Sequence, residues 1–126
     1  MQHARTVAEH AYAPYSGFKV GAALLLTNGH IVTCCNVENA SYRLTSCAEQ
    51  GAISTAVARF GPKVRIRAVG VANVDVQAAC MPCGACRQTI LEFAADDCWV
   101  FFPGQNGCPR ECAFNDLLPE SFRLAH

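Results

Sequence analysis

At 126 residues, with 52% hydrophobic side chains, the chain has enough apolar material for one core and is expected to form a single domain over residues 1–126, small enough that self-association would help it. Ten Lys plus Arg balance ten Asp plus Glu, and no basic run interleaves with aromatics, which argues against a nucleic-acid partner. No apolar stretch approaches the roughly 20 residues of a membrane span, and Met1-Gln2-His3-Ala4-Arg5 lacks the apolar region of an export signal, so no membrane partner and a cytoplasmic location are expected.

Ala4, Val7, Ala8, Ala11 and Tyr12 recur at helical spacing until Pro14 stops the pattern, predicting an amphipathic helix of about three turns that lies across a sheet. Residues 19–26 and 31–37 are rich in strand formers on either side of Asn28-Gly29, a hairpin signal, and should pair antiparallel. Residues 47–60 carry Ala52, Ile53, Ala56 and Val57 on one stripe before Gly61-Pro62, predicting a helix with Cys47 at its start. Residues 66–74 form a near-continuous apolar run, as expected of a central strand covered on both faces. Pro82 precedes a second such helix over 83–95, packed through Ile90, Leu91 and Ala94. A strand over 99–102, a turn at Gly104-Gln105-Asn106-Gly107, a short edge strand over 111–114 and a tail from Leu117 complete the order. That order predicts an α/β fold, a three-layer α/β/α sandwich around a mixed five-stranded sheet.

Nine cysteines without an export signal read as reduced thiols, some as metal ligands and others as small buried groups. Cys34, Cys35 and Cys98 lie in strand-like runs and suit the core, whereas Cys108 and Cys112 are spaced like a weak metal pair without a partner pair. Cys83 and Cys86 share one face of a helix start, where unpaired amides and the positive dipole end favour thiolates. A Cys-x-x-Cys alone fits a redox dithiol or a buried structural pair equally well. Cys47-x-Glu49 at another helix start changes that reading. It adds a third thiolate, leaves a tetrahedral zinc ion one open position for water, and sets a carboxylate beside it as proton carrier. Two alternatives stand beside this one. Glu49 is also the acid that any helix start favours. Cys80 makes a Cys-x-x-Cys-x-x-Cys run and would close a structural four-cysteine site with Cys47, Cys83 and Cys86, as in a zinc-binding interaction module. Against the second, a closed site leaves Glu49 without a task, and the helix face joining Cys83 to Cys86 does not extend back through Pro82. His3, His10, His30 and His126 fall outside every motif and are expected in surface or packing roles.

With Asn36-Val37-Glu38-Asn39-Ala40-Ser41-Tyr42 upstream of Cys47-Ala48-Glu49 and Pro82-Cys83-Gly84-Ala85-Cys86, the chain resembles the small homotetrameric cytidine deaminases from about residue 12 to residue 122. The resemblance implies a cytidine deaminase-like fold, one Zn2+ per chain on Cys47, Cys83 and Cys86, and hydrolytic deamination of cytidine and deoxycytidine in pyrimidine salvage. Another small cytosine-like or aminated nucleoside is the nearest alternative substrate. In the family the residue matching Glu49 takes a proton from water and delivers it to ring atom N3 and then to the departing amine. Asn36 and Glu38 alternate on a strand end, and an amide plus a carboxylate suits ribose hydroxyls, although singly both are ordinary turn formers. The resemblance gives those two the ribose contacts, sets the Ala40 backbone and the Tyr42 side chain near the base or a neighbouring subunit, and packs Phe18 on the pyrimidine. It also implies a homotetramer in which Phe122 closes a neighbour's site. One position departs from the pattern. Three thiolates around zinc leave a net charge near minus one, which relatives with three Cys ligands offset with an Arg directly after the catalytic Glu. Here Gln50 stands in that place, so either helix-start amides and Arg87 carry the compensation or the water at the metal is less acidic than in those relatives.

Overall fold

One five-stranded sheet organises the residues that the structure, a computed structural model, describes, namely 2–75, 79–80 and 82–119. Its strands are β1 (Val20–Leu26), β2 (Ile31–Cys35), β3 (Ile66–Asn73), β4 (Ala94–Pro103) and β5 (Pro109–Ala113), in spatial order β2-β1-β3-β4-β5. β1 pairs antiparallel with β2 and β3, β3 runs parallel to β4, and β4 pairs antiparallel with β5, so the sheet is mixed as expected. β3 is central, and most of its side chains are buried, which explains a strand that reads apolar on both faces.

Strand alternation sorts the core into two sides. Ala23 and Ala72 meet Ala4 of α1 (Gln2–Ala8) on one face. Leu24, Leu26, Val69, Val71 and Val100 meet the other two long helices on the opposite face, through Ala52, Ile53 and Ala56 of α2 (Ala48–Phe60) and Ile90 and Leu91 of α3 (Gly84–Phe93). The layers are therefore α/β/α. Close contact depends on small residues. A Cβ at Gly21 would collide with the backbone oxygen of Ala4, and one at Gly51 would lie 2.5 Å from Cys34 Sγ, so α1 and α2 approach the sheet only because both positions lack a side chain.

Several boundaries differ from the sequence pattern. α1 stops at Ala8 rather than continuing to Tyr12, because Tyr12 is drawn into a parallel bridge with Val37, its N–H donating to Asn36 O at 3.1 Å. α3 ends at Phe93 and β4 starts at once, with Ala94 extended and aligned with Ile66. The partly exposed stretch Ala95-Asp96-Asp97 hides that strand start from an apolar pattern. The edge strand β5 spans Pro109–Ala113 rather than 111–114, and Phe114, expected to end it, instead opens a four-residue helix, α4 (Phe114–Leu117), in which its side chain is buried. No helix among the described residues is long and apolar enough to cross a membrane.

Candidate functional site

Each of the two core helices starts from a cysteine. Cys47 and Cys83 are the N-caps of α2 and α3, both in extended conformation, and neither side chain makes a capping hydrogen bond. Their sulfurs remain available for another partner. Cys86, one turn into α3, is buried, and its Sγ lies 3.4 Å from that of Cys83. The Sγ atoms of Cys47, Cys83 and Cys86 all lie within 4.8 Å of one another, a span that one ion bridges with zinc–sulfur bonds of about 2.3 Å. Three soft donors, with no fourth ligand beside them among the described residues, fit a zinc ion with an open position. Cys80 does not join this group. It lies in the core with its N–H on Pro103 O at 2.9 Å, and burial followed by the nearby Glu49 charge pushes its thiol up to about 12.

Burial is the main influence on the acidity of these groups. It raises the Cys86 thiol, with Glu49 adding to the effect, and it raises Cys47 against a lowering interaction with Cys86. At Cys83 burial also pushes upward, but the backbone amide and the sulfur of Cys86 outweigh it and bring the thiol below its ordinary value. Glu49, in the first turn of α2 and 5% exposed, has its carboxyl raised by burial against the lowering effects of its own backbone amide and Cys86. A carboxyl that binds its proton more firmly than usual, two residues after Cys47 in the first turn of α2, can both take and return a proton.

The expected nucleoside side lies next to this centre along the chain. Val37 and Ser46 form an antiparallel bridge with N–O distances of 3.0 and 2.9 Å, folding the stretch 36–42 back beside Cys47. Asn36, buried, accepts the Val20 N–H on Oδ1 and donates from Nδ2 to Phe18 O, both at 2.9 Å. One amide hydrogen is left over. Glu38 accepts the backbone N–H groups of Tyr15 and Ser16 at 3.0 and 3.2 Å and the Ser16 hydroxyl, and that hydroxyl is the chief cause of a carboxyl held below its ordinary range. A cavity of about 180 Å³ opens among Glu38, Ala40, Tyr42, Tyr15, Ser16 and Thr45. Phe18 is 42% exposed and Tyr42 91%.

Tyr15 and Ser16 were missed by the sequence reading. Their signal is the turn Pro14-Tyr15-Ser16-Gly17, in which Gly17 has φ +72° and donates to Ala13 O at 2.9 Å. Arg87 donates from Nε to Pro82 O at 2.8 Å and from a terminal nitrogen to Leu117 O at 3.1 Å, tying the start of α3 to the C-terminal segment. Gln50 is half-buried on α2. Phe122 lies outside the described residues.

Comparison with known proteins agrees with this geometry. A family model, the cytidine and deoxycytidylate deaminase zinc-binding region, matches residues 1–102. A cytidine deaminase of Halalkalibacterium halodurans is 42% identical over 115 residues, covering 90% of this chain and 84% of that one. The crystal structure of a cytidine deaminase from Burkholderia pseudomallei superposes with a TM-score of 0.85 at 40% identity, covering 96% of this chain and 94% of that one. One from Mycobacterium tuberculosis gives 0.82 at 40% identity, covering 98% and 94%.

Proposed function

Since the chain belongs to the cytidine and deoxycytidylate deaminase family and acts as a zinc-dependent cytidine deaminase, we propose that its described residues divide that reaction among a three-sulfur centre, one buried carboxylate and a polar pocket. The observation that carries this division is the convergence of the Cys47, Cys83 and Cys86 sulfurs within 4.8 Å at two helix starts, with Glu49 buried in the first turn of one. Zinc, when bound, supplies the Lewis acidity that makes water nucleophilic near neutral pH. Glu49 takes one proton from the attacking water and hands it to N3 of the cytosine ring, where it stays, then takes the second from the new hydroxyl on C4 and hands it to the amine, which leaves as ammonia. Its burial excludes bulk water from those transfers.

Glu38 and the spare N–H of Asn36 receive the ribose hydroxyls, with Glu38 held for that task by Tyr15 and Ser16. The Ala40 backbone and Tyr42 line the same cavity, and Phe18, anchored through its carbonyl by Asn36, offers its ring to the pyrimidine. Gln50 leaves the thiolate charge to other donors, helix-start amides and Arg87 among them. Deoxycytidine fits the same scheme. The separation of Cys80 from the sulfur group counts against the structural four-cysteine module. We further propose one domain over residues 1–126, a cytoplasmic location, and a homotetramer whose tails, through Phe122, complete neighbouring sites. An ultraviolet assay of cytidine and deoxycytidine loss, on protein of measured zinc content, tests the reading. Zinc-loaded protein that leaves cytidine unchanged would overturn it.

A further inference from the structure

Among the described residues three polar side chains are buried, Asn36, Glu49 and Asn73, and the site described above uses the first two. Asn73 is 4% exposed and ends β3, the strand from which the chain proceeds to Cys83. Its Oδ1 accepts the Asp75 N–H at 2.7 Å, holding the turn that leaves the strand, while its Nδ2 is buried without a partner. Alternation gives the side chain a direction. Val69 and Val71 pack in the core with α2 and α3, whereas Ala72 packs against Ala4 of α1. Asn73, two residues beyond Val71, therefore shares the layer that carries Cys47, Glu49 and Cys86.

A buried donor without an acceptor weakens a fold, and such an exception calls for a reason. This layer offers one. Three thiolates around a divalent ion leave a net charge near minus one in surroundings that solvate it poorly. We propose that Asn73 is a positioning residue of the metal centre, its free amide N–H offsetting the negative charge of the three-sulfur cluster when metal is held there. This rests on the zinc reading given above.

Wild type, Asn73→Leu and Asn73→Ser, each zinc-loaded, are titrated with a chromogenic chelator, and the thermal midpoints of the zinc-free proteins are recorded. Leu matches the size of Asn without polar atoms, and Ser returns one donor and one acceptor. Asn73→Leu loses the acceptor of the Asp75 N–H together with the unpaired donor, so its zinc-free midpoint should stay near that of wild type, yet it should hold zinc about 10–100-fold less tightly, with Asn73→Ser nearer to wild type. Wild-type zinc affinity in Asn73→Leu overturns the proposal. So does an equal loss in both variants with lowered midpoints, which marks a turn or packing defect. If Asn73→Leu fails to fold, Asn73→Ser against Asn73→Ala decides, since tighter zinc in the Ser variant supports the donor role and equality overturns it. Wild type that binds no zinc would sink the zinc reading itself.

Discussion

Glu49 and Glu38 are two carboxylates that their surroundings push in opposite directions. Burial raises Glu49, and the Ser16 hydroxyl with two backbone amides lowers Glu38, which suits one to carry protons and the other to stay ionised against hydroxyl donors. Glu49→Gln should keep fold and zinc but lose roughly 10²–10⁴-fold in turnover, because the amide cannot exchange protons. Near-normal turnover with zinc confirmed would reduce Glu49 to a helix-start acid. For Glu38 the sign follows from a depressed folded value. Its contribution is fully present above the ordinary carboxyl value of 4.5 and is lost as pH falls through the lower folded one. The thermal midpoint of Glu38→Gln should therefore fall below wild type at neutral pH and converge with it in strong acid. A gap that persists unchanged into acid would show that the carboxylate charge does not hold the turn at Tyr15 and Ser16.

At the level of elements, the site depends on how closely α2 settles on β2. Gly51 stands two residues after Glu49, and an added methyl there meets Cys34 Sγ at 2.5 Å. Gly51→Ala alone sets a helix gain of about 1 kcal/mol against that overlap. Combined with Cys34→Ala, the gain should emerge, so the two changes should be non-additive in denaturant unfolding. Strict additivity would mean that α2 does not rest on Cys34. The same elements show what could be read from the sequence alone. The hairpin, the central strand and both cysteine-led helices were legible because their periodicity, Asn28-Gly29 and Pro82 act locally. The early end of α1 was not, since Tyr12 leaves the helical pattern for a bridge to Val37, distant in sequence. The start of β4 was hidden by Asp96 and Asp97. The three sulfurs and Glu49 could be read from spacing, but the clamp of Tyr15 and Ser16 on Glu38 spans more than 20 residues and left only a turn signal.

Across the described molecule, most of the exposed large hydrophobic side chains fall in the chain segments around the pocket. Of the eight large hydrophobic side chains exposed among the described residues, Tyr15 and Tyr42 line the cavity, and Tyr12, Phe18, Val37 and Leu44 lie within three residues of its lining in sequence, a concentration of exposed apolar side chains that favours association. This supports the proposed homotetramer, in which Phe122 of one chain closes the site of the next. Phe122→Ala should then weaken nucleoside binding by about 1 kcal/mol or more through lost stacking, without changing zinc content. The decisive version mixes chains. Glu49→Gln chains keep their tails but lack the proton carrier, and Phe122→Ala chains keep the carrier but lack the ring. Co-expressed, they should form sites in which the tail of the first closes the pocket of the second, giving a fraction of turnover with the wild-type KM that neither variant shows alone. A mixture that shows only the raised KM of Phe122→Ala, with subunit exchange verified by mass, would establish that each chain closes its own site.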